Sequence, residues 1–264
     1  MRKSLSAVLL VLFALLVSAM TSASAAAAPG PTLHFSVSSR VAVLARGAAL
    51  AVPVTYVCPV KYSGSTGYAI FTAEVQQRRA DGTLVDGFDA GGGNAILTCD
   101  GAVHEHEVIV QPQTQGAYEA PASATVTTGV LACNAAETNC RQPTKTYQAQ
   151  LRAAAPGDPA NQPVDGAATV RPDGGVLLAL NVGCAPGSFV VADATFTQRV
   201  HGDDAAFGET RSEPGCNRTT TTLTIEMDSF RARTGVAYVI GDRQTCSQSS
   251  CTHSTTFRGT VQIT

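Results

Sequence analysis

Eight cysteines, arranged in the same order in the two halves of the sequence, constrain this 264-residue chain more than any other feature. In each half, alternating apolar residues precede the first cysteine, another alternating run follows the second, and a closely spaced cysteine pair leads into a last strand-like segment. The first set is Cys58, Cys99, Cys133 and Cys140, and the second set is Cys184, Cys216, Cys246 and Cys251. Self-similarity of this kind is the sequence signature of a repeated structural unit. We therefore predict an internal repeat of a unit of about 100 residues, the size of one small domain.

The alternation of apolar and polar residues indicates what each unit folds into. Outside the first 25 residues the period is two almost everywhere, which is typical of half-buried strands. Seven or so short strands in about 100 residues is the count of a β-sandwich. The chain has no Trp, so the Trp-packed disulfide of antibody domains is not expected. We predict an all-β protein of two tandem immunoglobulin-like β-sandwiches.

Composition shifts place the boundaries of these units. Residues 32–152 are the first predicted sandwich and residues 164–264 the second. Residues 153–163 between them hold three prolines among small residues, which predicts a semi-rigid linker. Within the first unit, residues 81–93 contain Gly91-Gly92-Gly93 and are predicted to be a long mobile loop, followed by a strand near 94–98.

The first 25 residues have the three parts of a secretory signal peptide. Arg2 and Lys3 precede an unbroken apolar run, and Ala23-Ser24-Ala25 matches the small-residue cleavage pattern. The apolar run, residues 7–17, is too short to span a bilayer, which needs about 20 residues. We expect a secreted, extracellular protein with no membrane insertion after this segment is removed. A formal net charge of −2 gives no electrostatic footprint for nucleic acid.

Cysteine spacing predicts how the sulfurs pair. Disulfides persist in oxidising compartments, so export favours them over a zinc site, and neither half has the Cys-x₂-Cys spacing that zinc sites favour. Cys133–Cys140 and Cys246–Cys251 each lie between the last two strands of a unit, where a hairpin already holds the positions close. If the units fold independently, Cys58–Cys99 and Cys184–Cys216 remain as the long-range pairs.

Two short motifs in the first unit resemble a known family. The segment Thr55-Tyr56-Val57-Cys58, followed by Cys99-Asp100-Gly101-Ala102-Val103-His104, is similar to small secreted actinobacterial immunoglobulin-like domains of unknown function. Those domains carry a Tyr-x-Cys strand and a later Cys-Asp-Gly-Ala-x-His segment. The similarity covers roughly residues 50–152, and the second unit keeps only Cys216-Asn217 of the later motif. The resemblance implies a fold and a secreted location, and it implies no activity.

His104 and His106 are the most suggestive candidates for chemistry. On a strand they point to one face, with Glu105 and Glu107 on the other, so two imidazoles could share a metal. Zinc needs four ligands, or three and a water, and the sequence offers no obvious third. Counting from the cysteines also places His106 on the face that Val108 sends to the core, which favours a histidine at the rim of the core. We predict no metal site, no cofactor and no catalytic residues.

The function that these features favour is binding. The disulfide-clipped tips at 133–140 and 246–251 are rigid loops on a stable scaffold, where function tends to concentrate. We predict a secreted non-enzymatic binding or interaction protein whose partner is a protein or a cell-envelope component. The alternative is an extracellular metal-binding protein or hydrolase centred on His104 and His106.

Overall fold

Strands make up both halves of the chain, and their bounds follow the alternation in the sequence. The computed structural model describes residues 32–264 except 65–66, 90–95, 115, 183, 185–186, 213–219, 228–230, 248–249 and 253. The predicted signal peptide, residues 1–25, lies outside the described residues. No helix in the described part of the chain is long and apolar enough to cross a membrane.

The first half, residues 32–152 with the last strand running one residue further, contains nine described strands. They are β1 (His34–Val37), β2 (Arg40–Leu44), β3 (Ala49–Val57), β4 (Gly67–Arg78), β5 (Leu84–Asp89), β6 (Val103–Pro112), β7 (Ala122–Asn134), β8 (Cys140–Arg141) and β9 (Thr144–Ala153). Seven described strands follow in the second half, residues 164–264. They are β10 (Gly166–Val170), β11 (Val176–Asn181), β12 (Phe189–Arg199), β13 (Ala205–Ser212), β14 (Thr220–Met227), β15 (Gly235–Cys246) and β16 (Thr255–Ile263).

Strand pairing in the first half has the immunoglobulin-like order. One sheet runs β1-β3-β6 and the other runs β2-β9-β7-β4-β5, with β2 parallel to β9. Pairings of β2 with β3 and of β5 with β6 join the two sheets at their edges. In an immunoglobulin sandwich the second strand pairs with the fifth and the third with the sixth. If β1 and β2 are counted together as one interrupted first strand, β3 is the second strand and β6 the fifth, and β4 is the third and β7 the sixth. The observed pairs β3 with β6 and β4 with β7 therefore match the immunoglobulin order.

The second half has the same two pairings, β11 with β14 and β12 with β15. The order is β10-β11-β14-β13-β12-β15-β16, and β10 returns to pair in parallel with β16, so the sheet closes. The predicted fold class, all-β with two immunoglobulin-like β-sandwiches, is confirmed. Closing the sheet of the second half leaves it without an edge strand on which another chain could add. The predicted domain boundaries and the predicted internal repeat of the sequence stay predictions.

One element differs from the sequence-based prediction. Residues 84–89, inside the predicted loop 81–93, form strand β5, which pairs with β4. Near the predicted strand 94–98 only Ile96 pairs, through an isolated bridge to Ile70, and residues 90–95 lie outside the described residues. Gly87 makes β5 difficult to predict from the sequence, because glycine is uncommon in strands and interrupts the alternation of apolar and polar residues. A Cβ at Gly87 would come within 2.4 Å of the Gln111 carbonyl oxygen, so only glycine fits there.

Each half has its own core, and a third apolar cluster joins the two halves. The first core surrounds the edge-to-face pair of Phe35 and Phe71, whose ring centres are 5.6 Å apart, and the second includes Phe196. The members of the third cluster come from both halves and from the segment between them: Leu44, Ala45, Ala48, Ala49, Ala51, Ile109, Ala160, Tyr238 and Ile240. We refer to this contact as the interface between the halves.

Strand β6 lies across the sheet of the second half at this interface. Its outward-facing residues at 107, 109 and 111 meet three neighbouring strands in turn: Glu107 pairs with Arg258 of β16, Ile109 shares the third cluster with Tyr238 of β15, and Gln111 accepts a hydrogen bond of 2.6 Å from Thr195 of β12. β16, β15 and β12 are adjacent in that order. Every second residue of β6 therefore contacts the next strand of the second half.

The segment between the halves packs into the same interface. Pro159–Asn161 form a single 3-10 turn, in which the Asp158 carboxylate accepts the Ala160 N–H. Ala160 is fully buried, and its carbonyl oxygen accepts a hydrogen bond of 2.9 Å from the Tyr238 hydroxyl. The proline-rich linker predicted at 153–163 is thus a packed part of the interface.

Ionic contacts extend the interface at the loops. The Arg79 side chain is 4 % exposed and reaches two carboxylates, Glu119 of the first half at 2.9 Å and Asp203 of the second. Asp203 also pairs with Arg199. The carboxylates remain partly exposed, so water helps to solvate this network, while a guanidinium buried so completely needs its partners.

Candidate functional site at the braced end of the first half

Three loops of the first half meet at one end of the sandwich. Val57 pairs with Val103, and Gly67 pairs with Asn134, so the segments following β3, preceding β6 and following β7 lie at the same end. We call this the braced end and define it as residues 58–64, 96–103 and 133–140. Two disulfides hold it, Cys58–Cys99 and Cys133–Cys140, which are the pairs expected from the sequence.

The residues of the two family-like motifs contact each other at this end. The Tyr56 ring stacks on the His104 ring with centres 5.4 Å apart, and its hydroxyl accepts the Thr98 N–H at 3.0 Å. The Gly101 N–H donates to the Cys58 carbonyl at 2.9 Å, beside the Cys58–Cys99 bond. Gly101 has φ +83°, which a glycine adopts without strain. The Tyr-x-Cys and Cys-Asp-Gly-Ala-x-His motifs are therefore the two sides of one structural brace.

Asp100 completes the brace and fixes the orientation of His104. Its carboxylate accepts the Ala102 N–H at 2.8 Å and bonds His104 Nε2 at 2.7 Å. These hydrogen bonds, chiefly the one to His104, lower the pKa of Asp100 because they favour the charged carboxylate. A carboxylate bound to imidazole is also how proteins orient histidines that ligate metals. Here the pair anchors a loop to a strand.

His106 lies in a different environment from His104. Together with Glu105, Glu107 and Arg258 it lines a cleft of about 570 Å³ beside β1 and β3, at the edge of the interface between the halves. Burial raises the pKa of Glu107, against the opposing effect of the nearby Arg258 guanidinium. His104 and His106 alternate with Glu105 and Glu107 on the two faces of β6 as predicted, since they pair with the core residues Tyr56 and Val54.

Among the described residues, no group of three or more His, Cys, Asp or Glu side chains is placed to hold a metal ion. His104 is bound to Asp100, and no third ligand joins the two histidines in that part of the chain. The sequence singled out the histidines because of their spacing, and it could not show that Asp100 bonds one of them.

The clipped hairpin 133–140 is rigid for reasons beyond its disulfide. Asn134 bonds across the tip three times, through its N–H to the Asn139 carbonyl, its Oδ1 to the Asn139 N–H, and its Nδ2 to the Thr138 hydroxyl. The Tyr68 hydroxyl reaches Glu137 from β4 at 3.2 Å. Every residue from 135 to 141 is exposed. The tip therefore presents a fixed polar surface.

The second half has a similar tip. Cys246–Cys251 is formed, and the Ser247 N–H donates to the Ser250 carbonyl at 2.8 Å inside it. Cys184 is also disulfide-bonded, and Cys216, its expected partner, lies outside the described residues. No described cysteine is free. Disulfides persist in oxidising compartments, and their presence fits an extracellular protein.

Exposed apolar side chains at the braced end were not foreseen from the sequence. Val60, Ile96 and Val103 are 59, 62 and 69 % exposed, the three highest values among the large apolar residues that the structure describes. Lys61 lies over the Tyr62 ring, 5.1 Å from its centre, beside Val60. The sequence feature that could have predicted this exposure is the break in the apolar–polar alternation near the strand ends.

Comparisons with known proteins leave the family of this chain open. The chain matches no protein-family model, and no curated protein matches it. Among solved structures, CBD12 from CALX1.2 is 12 % identical over 82 % of this chain and 83 % of that chain, with a TM-score of 0.22. BcpA, the major pilin subunit of Bacillus cereus, is 8 % identical over 88 % and 68 %, with a TM-score of 0.26. At such TM-scores neither similarity bears on function, and the resemblance to secreted actinobacterial domains stays a prediction.

Proposed function

We propose that this chain is a secreted, non-enzymatic binding protein and that its partner is a protein that docks on the braced end of the first half. The observation that carries the proposal is the exposure of Val60, Ile96 and Val103 at the braced end, which two disulfides and the brace hold in place. Large apolar side chains exposed at one end of a domain support a role in protein binding. Function also concentrates on loops that a rigid scaffold positions.

The rigidity of the braced end favours binding on energetic grounds. Ordering a mobile side chain at an interface costs roughly 0.5–1.5 kcal/mol, and a surface that is ordered beforehand avoids part of that cost. Lys61 and Glu137 lie at the rim and are exposed, so they offer one positive and one negative charge to a partner. Such rim charges contribute more to orientation and association rate than to affinity.

A capture experiment with matched variants tests the proposal. The immobilised chain is incubated with secreted and cell-envelope fractions of the source cells, in parallel with a Val60→Asp, Val103→Asp double variant. The control is Leu177→Asp, which places a charge at an exposed apolar position of the second half, 37 % exposed. We expect a protein that the original chain and the control retain and the double variant loses. Retention of nothing above background, or equal retention by all three chains, contradicts the proposal.

The alternative, an extracellular metal-binding protein or hydrolase centred on His104 and His106, has one observation in its favour. The bond between Asp100 and His104 is the kind of contact that orients a metal-ligating imidazole. Metal analysis of the purified chain separates the two proposals. Stoichiometric zinc or copper that is lost in a His104→Ala, His106→Ala double variant favours the alternative.

A further inference from the structure

A crevice of about 500 Å³ opens at the interface between the halves, away from the braced end. Both halves and the segment between them line it. Its walls include the small apolar side chains Val43, Ala120, Ala154 and Val236, the last two of which pack against the third apolar cluster. Its volume lies within the 300–1,000 Å³ or so of small-molecule sites, which occur preferentially where two domains meet.

The charged side chains that line this crevice are all positive. Arg46 and Arg199 line it, and no carboxylate is among its described lining residues. Arg199 already pairs with Asp203 just outside. The Arg46 side chain is exposed and makes no hydrogen bond or ion pair with the residues that the structure describes, so its charge has no partner. The crevice therefore presents one guanidinium that no described residue compensates, beside an apolar wall.

The backbone holds Arg46 in an unusual conformation at this place. Ala45, Arg46 and Gly47 all have positive φ, at 44°, 62° and 106°. Residues other than glycine adopt such values rarely, and they persist only where surrounding contacts fix them. Contacts of this kind reach all three residues: Asn161 Oδ1 accepts the Ala45 N–H, Arg199 donates to the Arg46 carbonyl, and the Tyr118 N–H donates to the Gly47 carbonyl.

Asn161 adds a second donor on the same wall. Its Oδ1 accepts the Ala45 N–H at 3.3 Å, so the Nδ2 group is the part of this amide that can donate to a ligand. The crevice thus combines a forked guanidinium and an amide donor with a row of small apolar side chains. A guanidinium binds a carboxylate through two parallel hydrogen bonds, and this geometry distinguishes it from a neutral donor.

From these features we infer that the interface crevice binds an aliphatic monocarboxylate, with the carboxylate on Arg46 and the tail along Val43, Ala154 and Val236. The charge selects an anion, and the apolar wall selects a chain without polar substituents. This inference does not depend on the proposed function, because the crevice and the braced end share no residues.

Octanoate is a suitable probe, and its binding can be followed by amide chemical shifts in the full chain. We expect saturable shifts at Arg46 and Ala154. Octanol has the same tail without the charge, and the loss of one charged hydrogen-bond pair, roughly 1.5–3 kcal/mol, corresponds to about 10- to 100-fold weaker binding. Acetate, which has the charge without the tail, is also expected to bind more weakly than octanoate.

Matched variants complete the test. Arg46→Gln is expected to weaken octanoate binding by about 10- to 100-fold, for the same reason as octanol, and Arg46→Lys to weaken it less. Arg40→Gln, which removes an exposed arginine of β2 outside the crevice, leaves binding unchanged. Equal affinity for octanoate and octanol, an unchanged affinity in Arg46→Gln, or shifts confined to other surfaces each overturn the inference.

Discussion

Replacing Ile109 by alanine tests whether the interface between the halves contributes to the stability of the chain. Ile109 is fully buried and lies in the third apolar cluster, between strand β6 and the second half. The substitution removes three carbon atoms, worth about 2.4 kcal/mol at roughly 0.8 kcal/mol each. The remaining cavity adds to this loss, so we expect a decrease of about 3–4 kcal/mol in the free energy of unfolding, within the usual 2–5 kcal/mol for such substitutions.

Urea unfolding followed by circular dichroism, together with calorimetry, measures this loss. For a chain of this size each kcal/mol lowers the melting temperature by roughly 2–4 °C, so a decrease of about 10 °C is expected. The matched control is Ile225→Ala, which makes the same change at a fully buried position in the core of the second half. A loss below about 0.5 kcal/mol in Ile109→Ala, the range of surface substitutions, alongside a full loss in the control would refute a packed interface.

Three further predictions concern single contacts. Tyr238→Phe leaves a buried carbonyl of the connecting segment without its donor, and we expect a loss of about 1–3 kcal/mol in denaturant unfolding. Gly47→Ala forces a Cβ to within 2.2 Å of the Tyr118 carbonyl oxygen at a positive φ, so the melting temperature should fall sharply, whereas Gly82→Ala, which meets nothing within 4 Å, isolates the cost of positive φ alone. The pKa of Asp100 is lowered by folding, so its stabilising effect is complete above the ordinary aspartate pKa of about 4 and is lost as the pH falls further. Stability measured between pH 5 and 2 should therefore fall less steeply in Asp100→Asn than in the original chain.

The strands could be predicted because their burial depends on a local pattern. In β4 the buried residues recur at every second position from Gly67 to Val75, as the sequence alternation implies. The closely spaced cysteine pairs could be predicted for the same reason. Residues at the two ends of a hairpin lie close to each other in any fold that contains the hairpin. The pairs Cys133–Cys140 and Cys246–Cys251 formed as expected.

The interface between the halves left a signal in the sequence that alternation alone does not explain. Val108, Ile109 and Val110 are consecutive and all fully buried, as are Tyr238 and Val239, with Ile240 almost so. A strand that reads as a continuous apolar run is covered on both faces. The run predicts that another part of the protein covers the outer face of β6. It does not identify the covering strand, β15, because that strand lies more than a hundred residues further along the chain.

The candidate site was predictable only in part. Spacing placed His104 on the inner face of β6, but its bond to Asp100 and its stacking on Tyr56 depend on how two loops meet. The exposure of Val60 and Val103 depends on the same end of the fold. Val60 lies in the turn after β3 and Val103 begins β6, and at such positions alternation no longer specifies a face.

The sequence by itself determined the class of secondary structure, the approximate strand positions and the nearest disulfide partners, because each of these follows from interactions between residues close along the chain or from the period of the strand. Tertiary structure alone decided that β6 crosses three strands of the second half, that the proline-rich segment packs beneath Tyr238, and that Arg46 lines a crevice between the halves without a hydrogen-bond or ion-pair partner among the described residues. These features require two surfaces distant in sequence to fit each other, and the fit depends on shape and charge in three dimensions.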